Sequence, residues 1–277
     1  MLKIGEYNHL RIDRFTSVGA FLSDDEQNEV LIPKKYLDPN WEIDEKIEVF
    51  VYNDSEDRIV ATTETPLVKV NEFAALVCKS VTPIGAFLDW GMLKDLLVPL
   101  KLQTVKMTEG NIYMIYMFLD DKTNRLVATA KINPHFKAAT SDDYEVGNQV
   151  NLLVGRTSDL GTQVIVDQKY AGLVFNNRLT RHLYFGEEKQ GYIEAIREDG
   201  KLDISLDPIG IEKFDVHQTS ILDYLNENKG RMYITDKSDP DEIRRMLNMS
   251  KKSFKKAIGA LYKARKIKLE EDTIELI

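Results

Sequence analysis

Two phenylalanines and two arginines recur at matched places in this 277-residue chain. Phe21 and Phe87 are each the third residue of the tetrapeptide GAFL, and Arg58 and Arg125 each open the later phrases RIVAT and RLVAT. Asp54 and Asp121 stand shortly before those arginines, in segments rich in turn formers. A ring and a guanidinium brought together can hold single-stranded nucleic acid, because a base stacks on the ring while the cation meets phosphate. One stacked base contributes about 1–3 kcal/mol. Lys79, Lys94, Lys101 and Lys106 add positive charge around the second copy of the pattern. A plainer reading stays open beside this one, with both rings in the core and both arginines in surface ion pairs.

Other chemistry has little to work with. The four histidines, His9, His135, His182 and His217, have no histidine, cysteine or close carboxylate partner at metal-ligand spacing. Walker-type, dinucleotide-binding and nucleophile-elbow motifs are missing. We therefore expect no catalytic residue, no metal, no cofactor and no small-molecule substrate. Arg178, Arg181 and His182 cluster in NNRLTRHLYF, either as a loop over phosphate or as a solvated linker. The single cysteine, Cys78, lies in the strand-like LVCKSV and reads as a buried, inert thiol.

The elements that must position these residues follow from a repeat. GAFL at Gly19 is followed 14 residues later by Pro33, ending VLIP, and GAFL at Gly85 is followed 14 residues later by Pro99, ending LLVP. GTQV at Gly161 is followed at the same interval by Phe175, ending GLVF. The units close in RIVATTETP, RLVATAKINP and KLDISLDP. Within each unit, period-2 alternation and β-branched or aromatic residues mark five short strands. In the first unit they are HLRIDRF, GAFL, EVLIP, KIEVFVY and RIVATT, with NDSED as the last hairpin. Five antiparallel strands in so short a stretch are too few for a sandwich and suit a small OB-fold barrel, with the glycine where a strand bends sharply. The expected domains are three such barrels at 1–66, 67–140 and 141–210, then a helical domain at 211–277.

This order resembles the RNA-binding domain named for ribosomal protein S-one. That family carries two aromatics around the GAF glycine, a histidine at the corner, and an Asp–Arg pair across the last hairpin. Phe21 and Phe87 match the aromatic inside GAF, while Gln163 replaces it in the third unit. Val18, Ile84 and Leu160 stand where the other aromatic would be, and Pro33, Pro99 and Phe175 stand at the corner. Asp54 with Arg58, and Asp121 with Arg125, match the hairpin pair. The third unit keeps only Lys201 at the arginine position and reads as a degenerate copy. The resemblance implies RNA-binding residues Phe87, Arg125, Asp121, Phe21, Arg58 and Asp54, with Lys79 and Lys101 beside them.

Charge is distributed unevenly. Residues 1–66 carry 7 basic and 15 acidic side chains, net −8, and 67–140 carry 9 and 6, net +3. Residues 141–210 carry 7 and 12, net −5, and 211–277 carry 14 and 12, net +2. Phosphate contacts should then concentrate in the second and fourth segments. Hydrophobic residues make up 43% and charged residues 30% of the chain, which suits a soluble globular protein. With no long apolar run and no apolar signal core at the N-terminus, the expected location is the cytoplasm, away from membranes.

After Pro208 the pattern turns helical. Asp215–Asn228 reads as a helix with a cap at Gly230, and RMYITD as a strand. In SDPDEIRRMLN, Ser238 or Asp239 caps a helix over about 240–247, and Ser250 caps SKKSFKKAIGALYKARKI. IKLEEDTIELI closes the chain as two strands around EED. Helix, strand, helix, helix and a two-stranded wing is the order of a winged helix. Lys251, Lys252, Lys255 and Lys256 share an arc of roughly 140° on its last helix. They are either a phosphate-contacting patch or a solvated face.

DPDEIRRMLN followed by MSKKSFKKAIGALYKARKI is similar to the end of the conserved virulence factor B family, and the resemblance extends over essentially the whole chain. It implies a bacterial, non-enzymatic post-transcriptional regulator with single-stranded RNA as its partner. Two alternatives stay open: a transcription regulator binding DNA through the winged helix, and a protein adapter on the ribosome or RNA polymerase.

Overall fold

Alternating apolar residues set the strands, and close backbone pairing sets where they bend. The computed structural model describes residues 1–176, 179, 182–208, 211–270 and 272–277, without the side chains of 211–215. Arg178 and Arg181 lie outside the described residues. The first unit holds β1 (Glu6–Phe15), β2 (Gly19–Ser23), β3 (Glu29–Pro33), β4 (Lys46–Asn53) and β5 (Ile59–Thr62). The second holds β6 (Phe73–Thr82), β7 (Gly85–Asp89), β8 (Leu96–Pro99), β9 (Ile112–Asp120) and β10 (Arg125–Thr129). The third holds β11 (Gln149–Thr157), β12 (Gly161–Val166), β13 (Tyr170–Phe175), β14 (Glu188–Ile196) and β15 (Leu202–Ser205).

Leu10, Ile12, Ala20 and Leu22 turn into the first core, which leaves Phe21 on the outer side of β2. The glycine anchors have a steric cause. A Cβ at Gly19 would stand 2.0 Å from the Ile32 carbonyl oxygen, and one at Gly85 would stand 2.3 Å from that of Val98. No side chain fits between these paired strands, so each GAF phrase must start with glycine.

The first and third sheets close as five-stranded barrels, ordered β1-β2-β3-β5-β4 and β11-β12-β13-β15-β14. The second, expected as another barrel, is a five-stranded sheet of order β10-β9-β6-β7-β8. Its cyclic order is the same, but among the described residues its edge strands β8 and β10 are not hydrogen-bonded. The seam is thin even where it closes: in the first barrel it is one parallel pair, Leu31 with Val60. Leu97 and Val127 occupy the corresponding places in the second sheet, and β8 is one residue shorter than β3.

Two compact units divide the chain. One comprises Met1–Ala138, Leu152–Gly172 and Arg181–Lys189, and the other Ala139–Asn151, Leu173–Thr180 and Gln190–Ile277. Inside the first unit, the opening barrel and the second sheet share a core. Trp90 packs edge-on against Phe50 and Tyr52, with centroids 6.0 and 6.2 Å away. A separate cluster sets Phe73 of β6 against Leu153 and Ile165 of β11 and β12.

In the second unit the helical segment forms α1 (Ile211–Glu227), β16 (Arg231–Met232), α2 (Pro240–Leu247), α3 (Lys251–Lys263), β17 (Ile267–Leu269) and β18 (Ile274–Leu276). The strands order as β16-β18-β17. Asp239 caps α2 through Asp241 N–H, and Ser250 caps α3 through Ser253 N–H. Phe254, Ala257, Ile258 and Leu261 bury one face of α3 against Ile221 and Leu225 of α1. The helix α1 starts earlier than the expected Asp215, and RMYITD gives a two-residue strand. None of the described helices is long and apolar enough to cross a membrane.

Candidate nucleic-acid interface

Phe21 and Phe87 are both half-buried, on the outer side of their strands, so neither is sealed in a core. Phe21 pairs across the ladder with Arg14 and Leu31, and Phe87 with Ser80 and Leu97. The Arg14 guanidinium lies over the Phe21 ring. The residue before each bend glycine is exposed in all three units: Val18 at 59%, Ile84 at 62% and Leu160 at 60%. These positions depart from the aromatic of the resembled family, yet they present apolar surface at the same rim each time.

The first hairpin carries the expected pair. Asp54 accepts from the Arg58 side chain at 2.9 and 2.7 Å and from the Arg58 N–H at 2.9 Å. Partial burial works to raise the Asp54 carboxyl, and the hydrogen bonds from Arg58 and Glu56 outweigh it, holding it below the usual range. The second hairpin differs from the sequence reading. Arg125 sits opposite Asp120 in the ladder, and Asp120 accepts from the Lys122 N–H, as Asp54 accepts from the Glu56 N–H. Asp120, and not Asp121, is therefore the counterpart of Asp54. Asp121 falls in the exposed turn, and Arg125 goes instead to Asp57 of the first unit at 2.5 Å. The hairpin of the second unit is wide enough to move the matched aspartate by one place.

The lysines are distributed as follows. Lys79 reaches Asp95 at 2.9 Å, and that carboxylate raises its ammonium above the ordinary value. Lys101 is exposed beside the corner after β8, and its charge helps lower the Asp120 carboxyl, after the hydrogen bond from the Lys122 N–H. Asp120 thus has Arg125 across the ladder and Lys101 nearby. Lys94 is drawn to Asp57 at 2.8 Å. On α3, Lys251 donates to the Ser238 carbonyl at 2.8 Å, and Lys255 pairs with Asp236 at 3.4 Å. Lys252 and Lys256 are exposed. The four lysines span one arc beside the buried face, with half-buried Lys251 at its edge, and two of them also fasten the loop before α2.

Three groupings escape a reading of the sequence. Asp57 gathers Lys94 and Arg125 from the neighbouring unit. His135 stacks at 4.0 Å on Tyr116, with Phe118 at 6.1 Å. In the third unit Arg197 lies 5.5 Å over Phe175 and is held by Asp203 at 2.6 Å. Phe175 occupies the corner position and Arg197 faces Lys201 across its hairpin, so this degenerate copy keeps a ring beside a cation. Cys78 is buried, and burial pushes its thiol up, as expected of an inert one. Among the described residues no group of His, Cys, Asp or Glu could hold a metal ion.

Comparison with known proteins gives two family matches, an S1 domain over residues 4–64 and a CvfB-like winged helix domain over 219–276. The uncharacterized protein YitL of Bacillus subtilis is 30% identical over 277 residues, covering 96% of this chain and 91% of the relative. Conserved virulence factor B of Staphylococcus epidermidis is 28% identical over 244 residues, covering 86% and 82%. Among solved structures, a multidomain protein with nucleic acid binding domains from Streptococcus pneumoniae is 24% identical, covers 99% of this chain and 98% of that one, and gives a TM-score of 0.42.

Proposed function

Because the chain belongs to the conserved virulence factor B family, we propose that it is a non-catalytic, cytoplasmic RNA-binding protein that regulates bacterial genes after transcription. It takes single-stranded RNA along three tandem S1-type β units, with 1–66, 67–140 and 141–210 as the successive units and 211–277 as a winged helix that assists. The open second sheet acts as a barrel of the same kind. The observation that carries the reading is Phe87, a half-exposed ring on the outer side of β7. Lys79 is at the neighbouring bulge, and Lys101 and Arg125 flank Asp120. A base stacks on such a ring and phosphates meet such cations. Exposed Ile84 extends the apolar rim.

Arg58, beside Asp54, would offer the matching phosphate contact in the first unit, and Lys252 and Lys256 lead the contact from α3. Short single-stranded RNA titrated into the full chain should bind, with affinity falling as salt rises because neutralised phosphates release counterions. The double variant Phe87→Ala, Arg125→Ala should lose at least about tenfold, the sum of a weak stack and one phosphate contact. Unchanged affinity would remove the site from Phe87. Tighter binding to duplex DNA than to RNA would transfer the function to a DNA-binding regulator.

A further inference from the structure

Phe21 and Phe87 occupy the same place in two matching units, yet the space over their rings differs. β1 and β6 both bulge opposite these residues, between Ile12 and Arg14 and between Cys78 and Ser80. The bulge brings Arg14 opposite Phe21 and Ser80 opposite Phe87. The Arg14 guanidinium stands 4.1 Å from the Phe21 centroid. Glu29 grips it with both carboxylate oxygens, at 2.5 and 3.1 Å. The bidentate fork fixes the guanidinium plane as well as its position.

In the second unit Asp95 takes the place of Glu29, two residues before the partner of the ring. Its cation is Lys79, on the bulge, and Lys79 leans to Asp95 at 2.9 Å and Asp89 at 3.9 Å. Among the described residues no cation and no second ring lies over Phe87. A base stacks by laying its plane against the ring, and over Phe21 the guanidinium holds that place.

We propose that Arg14 caps Phe21 against nucleobases, so that the first unit is closed by its own side chain and base stacking takes place on Phe87. Glu29 is the positioning residue of the cap. The inference rests on the RNA-binding reading above, and it makes the two matched units unequal. The net charge of −8 over residues 1–66 acts in the same direction, since phosphate approaches that unit against repulsion.

The test uses the full chain and short single-stranded RNA carrying photoreactive 4-thiouridine, with affinity and crosslinked peptides both read. Arg14→Ser should bind at least about fivefold tighter, the low end of one added stack, and should crosslink through the peptide holding Phe21. Glu29→Gln should move the same way by less. Adding Phe21→Ala to Arg14→Ser should return the affinity to that of the unaltered chain. Weaker or unchanged binding by folded Arg14→Ser, or a gain that survives Phe21→Ala, overturns the cap and leaves RNA binding intact. Failure of both the unaltered chain and Arg14→Ser to bind, with both shown folded by circular dichroism, overturns the cap and the RNA reading together.

Discussion

Asp57 holds Arg125 at 2.5 Å, and the two belong to successive β units. The same carboxylate takes Lys94 at 2.8 Å, while Lys94 also donates to the Asp54 carbonyl at 2.7 Å. The hydrogen bond from Lys94, with the fields of Lys94 and Arg125 behind it, holds the Asp57 carboxyl below its usual range. A phosphate approaching Arg125 must compete with this anion. Asp57 has a left-handed backbone, φ 62°, so asparagine is the substitution that keeps the turn. Asp57→Asn should tighten RNA binding. The plot of log affinity against log salt should steepen by about 0.7 for each cation released to a single strand. An unchanged slope would mean that neither Arg125 nor Lys94 meets phosphate.

Trp90 joins the first barrel to the second sheet. It is 2% exposed and edge-on to two aromatic residues of β4, and its indole N–H donates to the Lys94 carbonyl. Removing so large a buried ring leaves a cavity that both sheets line. Trp90→Ala should cost about 3–5 kcal/mol in urea unfolding. A loss below about 1 kcal/mol, as for an exposed position, would show that the two sheets do not depend on this core.

Much of this fold is legible in the amino-acid sequence. Gly19 and Gly85 mark their bends because no other residue fits against a carbonyl at that distance, and Ser250 marks the start of α3 because a hydroxyl there can cap a helix. What sequence pattern misses depends on register and on contacts between units. Alternation places Arg14 on a strand, but only the bulge after Ile12 sets it opposite Phe21. The Asp54–Arg58 pair is legible because it is local. Arg125 takes a different partner because Asp57 is close in space and remote in sequence. The second sheet has the sequence pattern of a barrel, and its open seam comes down to one residue pair, which no pattern resolves.

His135 lies against Tyr116 and Phe118 on the outer side of β9, and burial pulls its imidazole below the ordinary histidine value. The folded chain therefore favours the neutral ring, and the unfolded chain binds the proton more readily. Stability from this contact is complete above the unfolded value of about 6.5 and falls as pH drops through the lower folded value. The melting temperature should decline as pH falls below about 6.5. His135→Phe, which keeps a ring on Tyr116 and cannot be protonated, should flatten that part of the curve. An identical slope in the variant would assign the decline to other groups.

The lysines of α3 divide into structural and surface roles, and the two are separable. Lys251 is half-buried and donates to the Ser238 carbonyl at 2.8 Å and the Lys237 carbonyl at 3.4 Å, which fastens the loop leading into α2. Lys252, one position on, is exposed. Lys251→Ala should lower stability by about 0.5–1.5 kcal/mol, the usual net contribution of a hydrogen bond. Lys252→Ala should leave the melting temperature unchanged and weaken RNA binding, with the salt slope reduced by about 0.7. These measurements need both melts and salt titrations on each variant. If Lys252→Ala binds RNA with the original slope, the basic face of α3 is a solvated surface, and the β units carry the binding without it.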